Sequence, residues 1–211
     1  MTEKLLIDFY NENKDDIAMI LIGGSSTLSY INNPHDVDVF VVYKERPTDI
    51  EIMRERARKR KNVYYAFKDE GESVTIGLRY LEIYKYWLTG INDNPNKELI
   101  YPIYLYLCKY LKILIGEDTL NVKNLSVLDQ REKYKQRLKD FLFKDFNNLL
   151  NKHNELPKDL YHVLTGFYIL KNNSYDLTEE QISNINIVHD RSDTNKYQKL
   201  YDMMCQEIDN L

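Results

Sequence analysis

The sequence predicts an α+β protein, with a mixed sheet and helices in its first part and an all-helical part after it. Three observations carry that expectation. Residues 17–22 form a continuous apolar run and residues 36–43 a run rich in Val and Phe, both with the length and composition of strands. Strand and helix signals alternate only as far as about Tyr80. From Leu81 onward the apolar residues recur at helical spacing. The loop INDNPNKE marks the boundary, which gives an α/β domain over residues 1–90 and a helical domain over residues 91–211.

Element by element, Leu5, Leu6, Phe9 and Tyr10 give residues 3–13 a helical stripe. The apolar run of residues 17–22 stops at Gly23-Gly24, after which Ser25 or Ser26 caps a short helix over residues 28–31. The turn NNPH leads into the second strand. Residues 48–61 read as a polar helix whose end, RERARKRK, carries six positive charges and one negative. Residues 63–67 and 73–80, joined by KDEGE, look like a hairpin. Helices are then expected over 81–89, 102–115, 129–153, 158–171, 178–187 and 194–208. Pro102 suits a first turn and Gly116 follows the end of its helix. PIYLYLCKYLKILIG is apolar nearly all round, so it is expected to be the central helix of the second half.

Composition limits the function classes. The chain has 211 residues, 43% hydrophobic and 29% charged, enough for one ordinary domain or two small ones. It contains no apolar run of membrane-spanning length, and its acidic, amphipathic start is not a basic segment leading into an apolar one. A cytoplasmic protein with no membrane partner is expected. Cys108 and Cys205 sit in apolar helical patterns and read as small buried hydrophobes. The four histidines, His35, His153, His162 and His189, show no metal-ligand spacing. A net charge of −4 argues against wholesale nucleic-acid binding, though not against a local patch.

The chemistry concentrates in GGSSTLSYINNPHDVDVFVVY. A strand that ends in Gly-Gly-Ser and turns toward a helix presents backbone N–H groups to an anion, with glycine allowing close approach. The hydroxyls of Ser25 and Ser26 add donors. Further on, Asp36 and Asp38 project from one side of a strand, because successive side chains alternate faces, while Val37 and Val39 point into the core. Two parallel carboxylates repel unless a cation relieves them, and Mg²⁺ favours a few carboxylates together with water and phosphate oxygens.

Between Gly24 and Asp36 lie eleven residues. Ile22, Gly23, Gly24 and then Asp36, Val37, Asp38, Val39 make the first eighty residues resemble the DNA polymerase beta-like nucleotidyltransferase superfamily. The helical half is similar in a generic way to that of the aminoglycoside nucleotidyltransferases. The resemblance implies a nucleotidyltransferase-type mixed sheet and transfer of a nucleoside monophosphate from an NTP to an acceptor hydroxyl, with release of pyrophosphate. It implies Asp36 and Asp38 as catalytic, Mg²⁺-holding residues, and a phosphate cradle at Gly23, Gly24, Ser25 and Ser26. Arg79, on a strand beside the site, is a candidate phosphate contact. A small molecule or protein is favoured over RNA as acceptor. Active members carry a third carboxylate on a neighbouring strand, but the segment ESVTIGLRY has Thr75 or Gly77 there. Asp69, Glu70, Glu72 and Glu82 are the substitutes to hand. The gap keeps two alternatives open, a catalytically inactive nucleotide sensor and an antitoxin-like partner-binding module of the same superfamily. Arg54, Arg56, Arg58, Lys59, Arg60 and Lys61 either guide a triphosphate or RNA toward the site or form a solvated basic face.

Overall fold

The structure is a computed structural model, and it describes residues 2–34, 36–69, 71, 73–80, 102–118, 125–145 and 160–211. It is an α+β fold, a four-stranded mixed sheet with helices and a helical C-terminal region. The expected helix over 81–89, the loop INDNPNKE, His35 and His153 lie outside the described residues.

The chain forms two compact units. One comprises Met1–Ser29, Pro34–Ile100 and Leu107–Asn124; the other comprises Tyr30–Asn33, Tyr101–Tyr106 and Leu125–Leu211. In the first unit, helix α1 (Thr2–Glu12) precedes strand β1 (Ile17–Gly23), and a 3-10 turn over Ser25–Thr27 follows it. Strand β2 (Val37–Tyr43), helix α2 (Ile50–Asp69) and strand β3 (Val74–Tyr80) come next. The strand order is β3-β2-β1-β4, where β4 is Lys112–Gly116. β1 runs antiparallel to both β2 and β4, whereas β2 and β3 are parallel.

One face of this sheet makes the core. Ile17 and Ile20 of β1, Val39, Val41 and Tyr43 of β2, and Val74 and Ile76 of β3 are buried with Leu6 and Phe9 of α1 and Phe67 of α2. Each fully buried aliphatic or aromatic side chain in such a cluster contributes about 1.5–3 kcal/mol. The helical stripe expected for residues 3–13 is therefore the stripe that α1 sets against the sheet.

Three sequence expectations change here. Residues 63–67 are not a strand of a hairpin but the last turns of α2, because Val63 and Phe67 lie one helical turn apart and pack on the core together. β3 consequently returns parallel to β2, with α2 as the crossover. The run of residues 102–115 is not one α-helix. It is a 3-10 helix over Pro102–Tyr110 followed by β4, whose Ile113 and Ile115 pair with Leu21 and Ile20 of β1. Strand structure thus does not end near Tyr80. The short helix expected over 28–31 is instead the turn at Ser25–Thr27, and Leu28 already has extended geometry.

In the second unit, α3 (Arg131–Asp140) runs into a π-helical turn at Phe141–Asp145, and α4 (Leu160–Asn172), α5 (Glu179–Asp190) and α6 (Thr194–Glu207) follow. The last three lie within a few residues of where the sequence predicts them. Thr178 and Gln181 close a capping box on α5, and the Asp193 carboxylate accepts the Lys196 N–H at 3.0 Å to start α6. The central helix is α4, in which every residue from His162 to Leu170 is buried. Cys108 is buried as expected, which pushes its thiol pKa up to about 12, and Cys205 is half-buried.

α4 carries a histidine into the interior. His162 Nδ1 is hydrogen-bonded to the Tyr106 hydroxyl at 2.8 Å, and the Tyr104 ring meets the imidazole edge-on at 4.5 Å between centroids. The Tyr161 ring lies 3.9 Å away, and burial followed by the field of His189 lowers the His162 pKa from 6.5 to about 3. The folded chain therefore holds this ring neutral where the unfolded chain takes up a proton.

Two predictions follow from these placements. Lowering the pH from about 6.5 toward 3 should remove stability at up to about 1.4 kcal/mol per unit through His162, while above 6.5 the residue adds no pH dependence. Urea midpoints across that window should fall less steeply in His162→Gln than in the native protein, and equal slopes would refute the assignment. Gly116 has φ +94°, and a Cβ on it would overlap the Ala18 carbonyl oxygen across the β1–β4 pair. Gly116→Ala should cost about 1–3 kcal/mol by urea unfolding.

Candidate active site

The face of the sheet away from α1 and α2 carries the sequence-predicted residues. Register places Gly23 of β1 opposite Asp38 of β2, and Asp38 opposite Thr75 of β3. Strand alternation turns these three toward the face opposite Val39, Val41 and Ile76. Asp36 immediately precedes β2 and, two residues from Asp38, shares its side; both aspartates are half-buried.

The turn after β1 is shaped around the second aspartate. Gly24 has φ +73°, a left-handed conformation, and the Asp38 carboxylate lies where a Cβ at position 24 would be. Position 24 is therefore restricted to glycine on two independent grounds. Leu111 and Phe40 cover Gly23 in the same way, since a Cβ there would meet both side chains. Within the turn, the Thr27 N–H donates to the Gly24 carbonyl and the Leu28 N–H to the Ser25 carbonyl, each at 3.2 Å. The Ser26 hydroxyl donates to the Gly23 carbonyl and the Thr27 hydroxyl to the Gly24 carbonyl, both at 3.0 Å. No side chain caps the turn's N-terminus. The Ser26 proton is thus committed to the turn, and Ser25 is buried.

The other aspartate has a neutral partner. The Thr75 hydroxyl donates to Asp36 Oδ2 at 2.5 Å. Thr75 is exposed while Val74 and Ile76 on either side are buried, as the alternation in ESVTIGLRY predicts. The sequence places Thr75 or Gly77 at the expected strand centre but gives no sign of this bond, which depends on β3 lying parallel to β2 in this register. Thr27 and Leu111 are likewise local parts of the site that the sequence reading did not single out.

Among the described residues no group of three His, Cys, Asp or Glu side chains is placed to hold a metal ion. Asp69 ends α2, exposed, and does not complete such a group; Glu70, Glu72 and Glu82 lie outside the described residues. Two carboxylates on one side of a strand, beside a glycine turn, remain a donor set that suits Mg²⁺ completed by water and phosphate oxygens. Arg79 lies in β3 opposite Val42, and its side chain is not described.

The basic run divides. Arg56 is buried, with its guanidinium 4.2 Å from the Tyr43 ring centroid, 3.2 Å from Asp16 Oδ1 and donating to the Glu45 carbonyl at 2.9 Å. Lys59 donates to Asn13 Oδ1 at 2.8 Å. Neither is directed at the aspartate face, because α2 packs on the other side of the sheet. Separately, the helical unit bears an open depression of about 310 Å³ lined by Arg131, Lys171, Glu207, Asn210 and Leu211, and none of the sequence-predicted site residues lines it. No helix among the described residues is long and apolar enough to cross a membrane.

No protein-family profile matches the chain, and no curated protein matches its sequence. One solved structure similar to it is a spectinomycin adenyltransferase, AAD(9), from Enterococcus faecialis, determined with ATP and spectinomycin. The two share 15% identity over 94% of this chain and 98% of that one, with a TM-score of 0.40.

The clash at position 24 is directly testable. Gly24→Ala should destabilise the protein by about 1–3 kcal/mol in urea, since it combines a left-handed backbone with displacement of the Asp38 carboxylate. Gly24→Ala combined with Asp38→Ala should recover part of that loss, because the overlap is gone and only the backbone term remains.

Proposed function

We propose that the protein is a nucleotidyltransferase that moves a nucleoside monophosphate from an NTP to an acceptor hydroxyl on a small molecule or protein. The observation that carries this is the convergence of three groups at one end of the strands β1, β2 and β3. Asp38 is held against Gly24, Asp36 is held by Thr75, and the turn over Ser25–Thr27 begins directly after Gly24. In this reading Asp36 and Asp38 hold Mg²⁺, which when bound offsets the charge of the triphosphate. Gly23 and Gly24 let the backbone approach the outer phosphates, the N–H groups of Ser25 and Ser26 bind them, and Arg79 supplies a further cation. The acceptor oxygen forms a bond to the α-phosphorus as the bond to the pyrophosphate oxygen breaks, and the acceptor's proton passes to solvent water. The sheet-bearing unit carries this chemistry.

A second reading has its own support. Thr75 is one of the two residues, with Gly77, that stand where the superfamily resemblance implies a third carboxylate, and it is bonded to Asp36. A hydroxyl there orients the aspartate but does not remove an acceptor's proton at neutral pH. On that reading the protein binds the nucleotide with Mg²⁺ and does not turn it over.

Thermal unfolding with each NTP, with and without Mg²⁺, tests the common part. At a hundredfold excess over Kd the binding nucleotide should raise Tm by roughly 5–10 °C only when Mg²⁺ is present. Asp36→Asn with Asp38→Asn should abolish the shift. Absence of any shift in the native protein would overturn both readings, and release of pyrophosphate in the presence of acceptor separates transfer from binding alone.

A further inference from the structure

α2 carries more charge than its packing uses. It has seven cations and three acids in a chain whose net charge is −4, so the helix is locally basic in an acidic protein. Its buried side is made by Arg56, Val63 and Phe67. On the opposite side, Arg54, Arg58, Lys61, Tyr65 and Lys68 recur at alternating four- and three-residue intervals, which makes one exposed stripe along the helix. Arg54 is paired with Glu51, and Lys59 beside the stripe with Glu55. Among the described residues no acid pairs with Arg58, Arg60, Lys61 or Lys68. From Arg58 to Lys68 the stripe extends about 15 Å along the helix axis.

Two aromatic rings stand among these cations. Tyr64 is 40% and Tyr65 45% exposed, an unusual surface cost for adjacent large side chains. Their centroids are 5.7 Å apart at 60°, and Lys61 Nζ lies 5.5 Å from the Tyr65 centroid. The rings are interleaved with the cations and not gathered on a separate apolar face, so the helix lacks the segregated surface with which an amphipathic helix enters a lipid interface. Cations that can follow a phosphodiester chain, with rings whose faces are open to unstacked bases, are the features of a single-strand binding surface.

We propose that the exposed face of α2 binds single-stranded nucleic acid, with Arg58, Lys61 and Lys68 on phosphates of the strand and Tyr64 and Tyr65 as stacking surfaces for bases. This does not rest on the nucleotidyltransferase reading, since α2 covers the face of the sheet opposite the aspartates.

The test is fluorescence anisotropy of a labelled oligouridylate of about 15 nucleotides, a length that spans one such site, with the full-length protein. Affinity should fall with salt at a log–log slope of about −2, as three phosphate contacts imply. Arg58→Glu with Lys61→Glu should weaken binding at least about tenfold, and Tyr65→Ala about fivefold or more. Lys133→Glu with Lys199→Glu, which changes net charge equally on exposed sites of the helical unit, should leave affinity within about twofold. The variants sit on exposed positions, so an unchanged urea midpoint certifies their folding. No binding at low salt, equal losses in the two charge-reversal variants, or binding to phosphatidylserine vesicles in place of the oligonucleotide would each overturn the proposal.

Discussion

The fit of the Asp38 carboxylate against the Cα of Gly24 is the constraint on which the site depends. It exists because β1 and β2 pair antiparallel with Gly23 opposite Asp38, so the first residue past β1 must turn directly over a β2 side chain. A Cβ has no room there, and the backbone takes a conformation that only glycine adopts without cost. The same fit sets the start of the turn beside the carboxylate. Neither group would be placed by its own element alone, since the turn has just two backbone hydrogen bonds of its own and Asp38 belongs to another strand.

The paired carboxylates bring an opposing energy. Two strand residues apart they are separated by roughly 7 Å, and at an effective dielectric near 20 like charges at that distance repel by about 2 kcal/mol. A fold with no use for the pair gains by replacing one of them. This fold supports it instead, giving Asp36 a hydroxyl donor from Thr75 and packing Asp38 against the glycine turn. Support of that kind orients a carboxylate without neutralising it, which leaves the negative field in place for a cation.

What could be read along the chain and what could not divide by the range of the interaction responsible. β1, β2, the aspartate pair and helices α4 to α6 were legible, because alternation, helical spacing and caps such as Thr178–Gln181 are local. The parallel return of β3 was not. Val63–Phe67 has strand-like composition, and its assignment turns on Val63 and Phe67 both reaching the sheet core from one helix face. β4 was hidden by a run apolar enough for either state; pairing of Ile113 and Ile115 with β1 decided it, and that partner lies some ninety residues away. The Thr75–Asp36 bond followed the same rule, being invisible until β3 had a direction.

The basic run shows why composition alone misjudges function. Six cations in eight residues read as one feature, yet burial separates them into different roles. Arg56 is an internal strut: its guanidinium stacks on Tyr43, meets Asp16 and caps the chain at Glu45, so a charge that looks available for a ligand is spent on joining α2 to β2. Its helical neighbours at Arg58 and Lys61 face outward with no such structural duty. Because the strut fixes the helix on one face of the sheet, the outward cations and the aspartates on the other face are set apart by the thickness of the sheet and a helix, about 10 Å or more. Charge changes on one side should then perturb the other little at physiological salt, where the Debye length is about 8 Å. A single small sheet can in this way carry a metal-type carboxylate pair and a cationic surface without either cancelling the other.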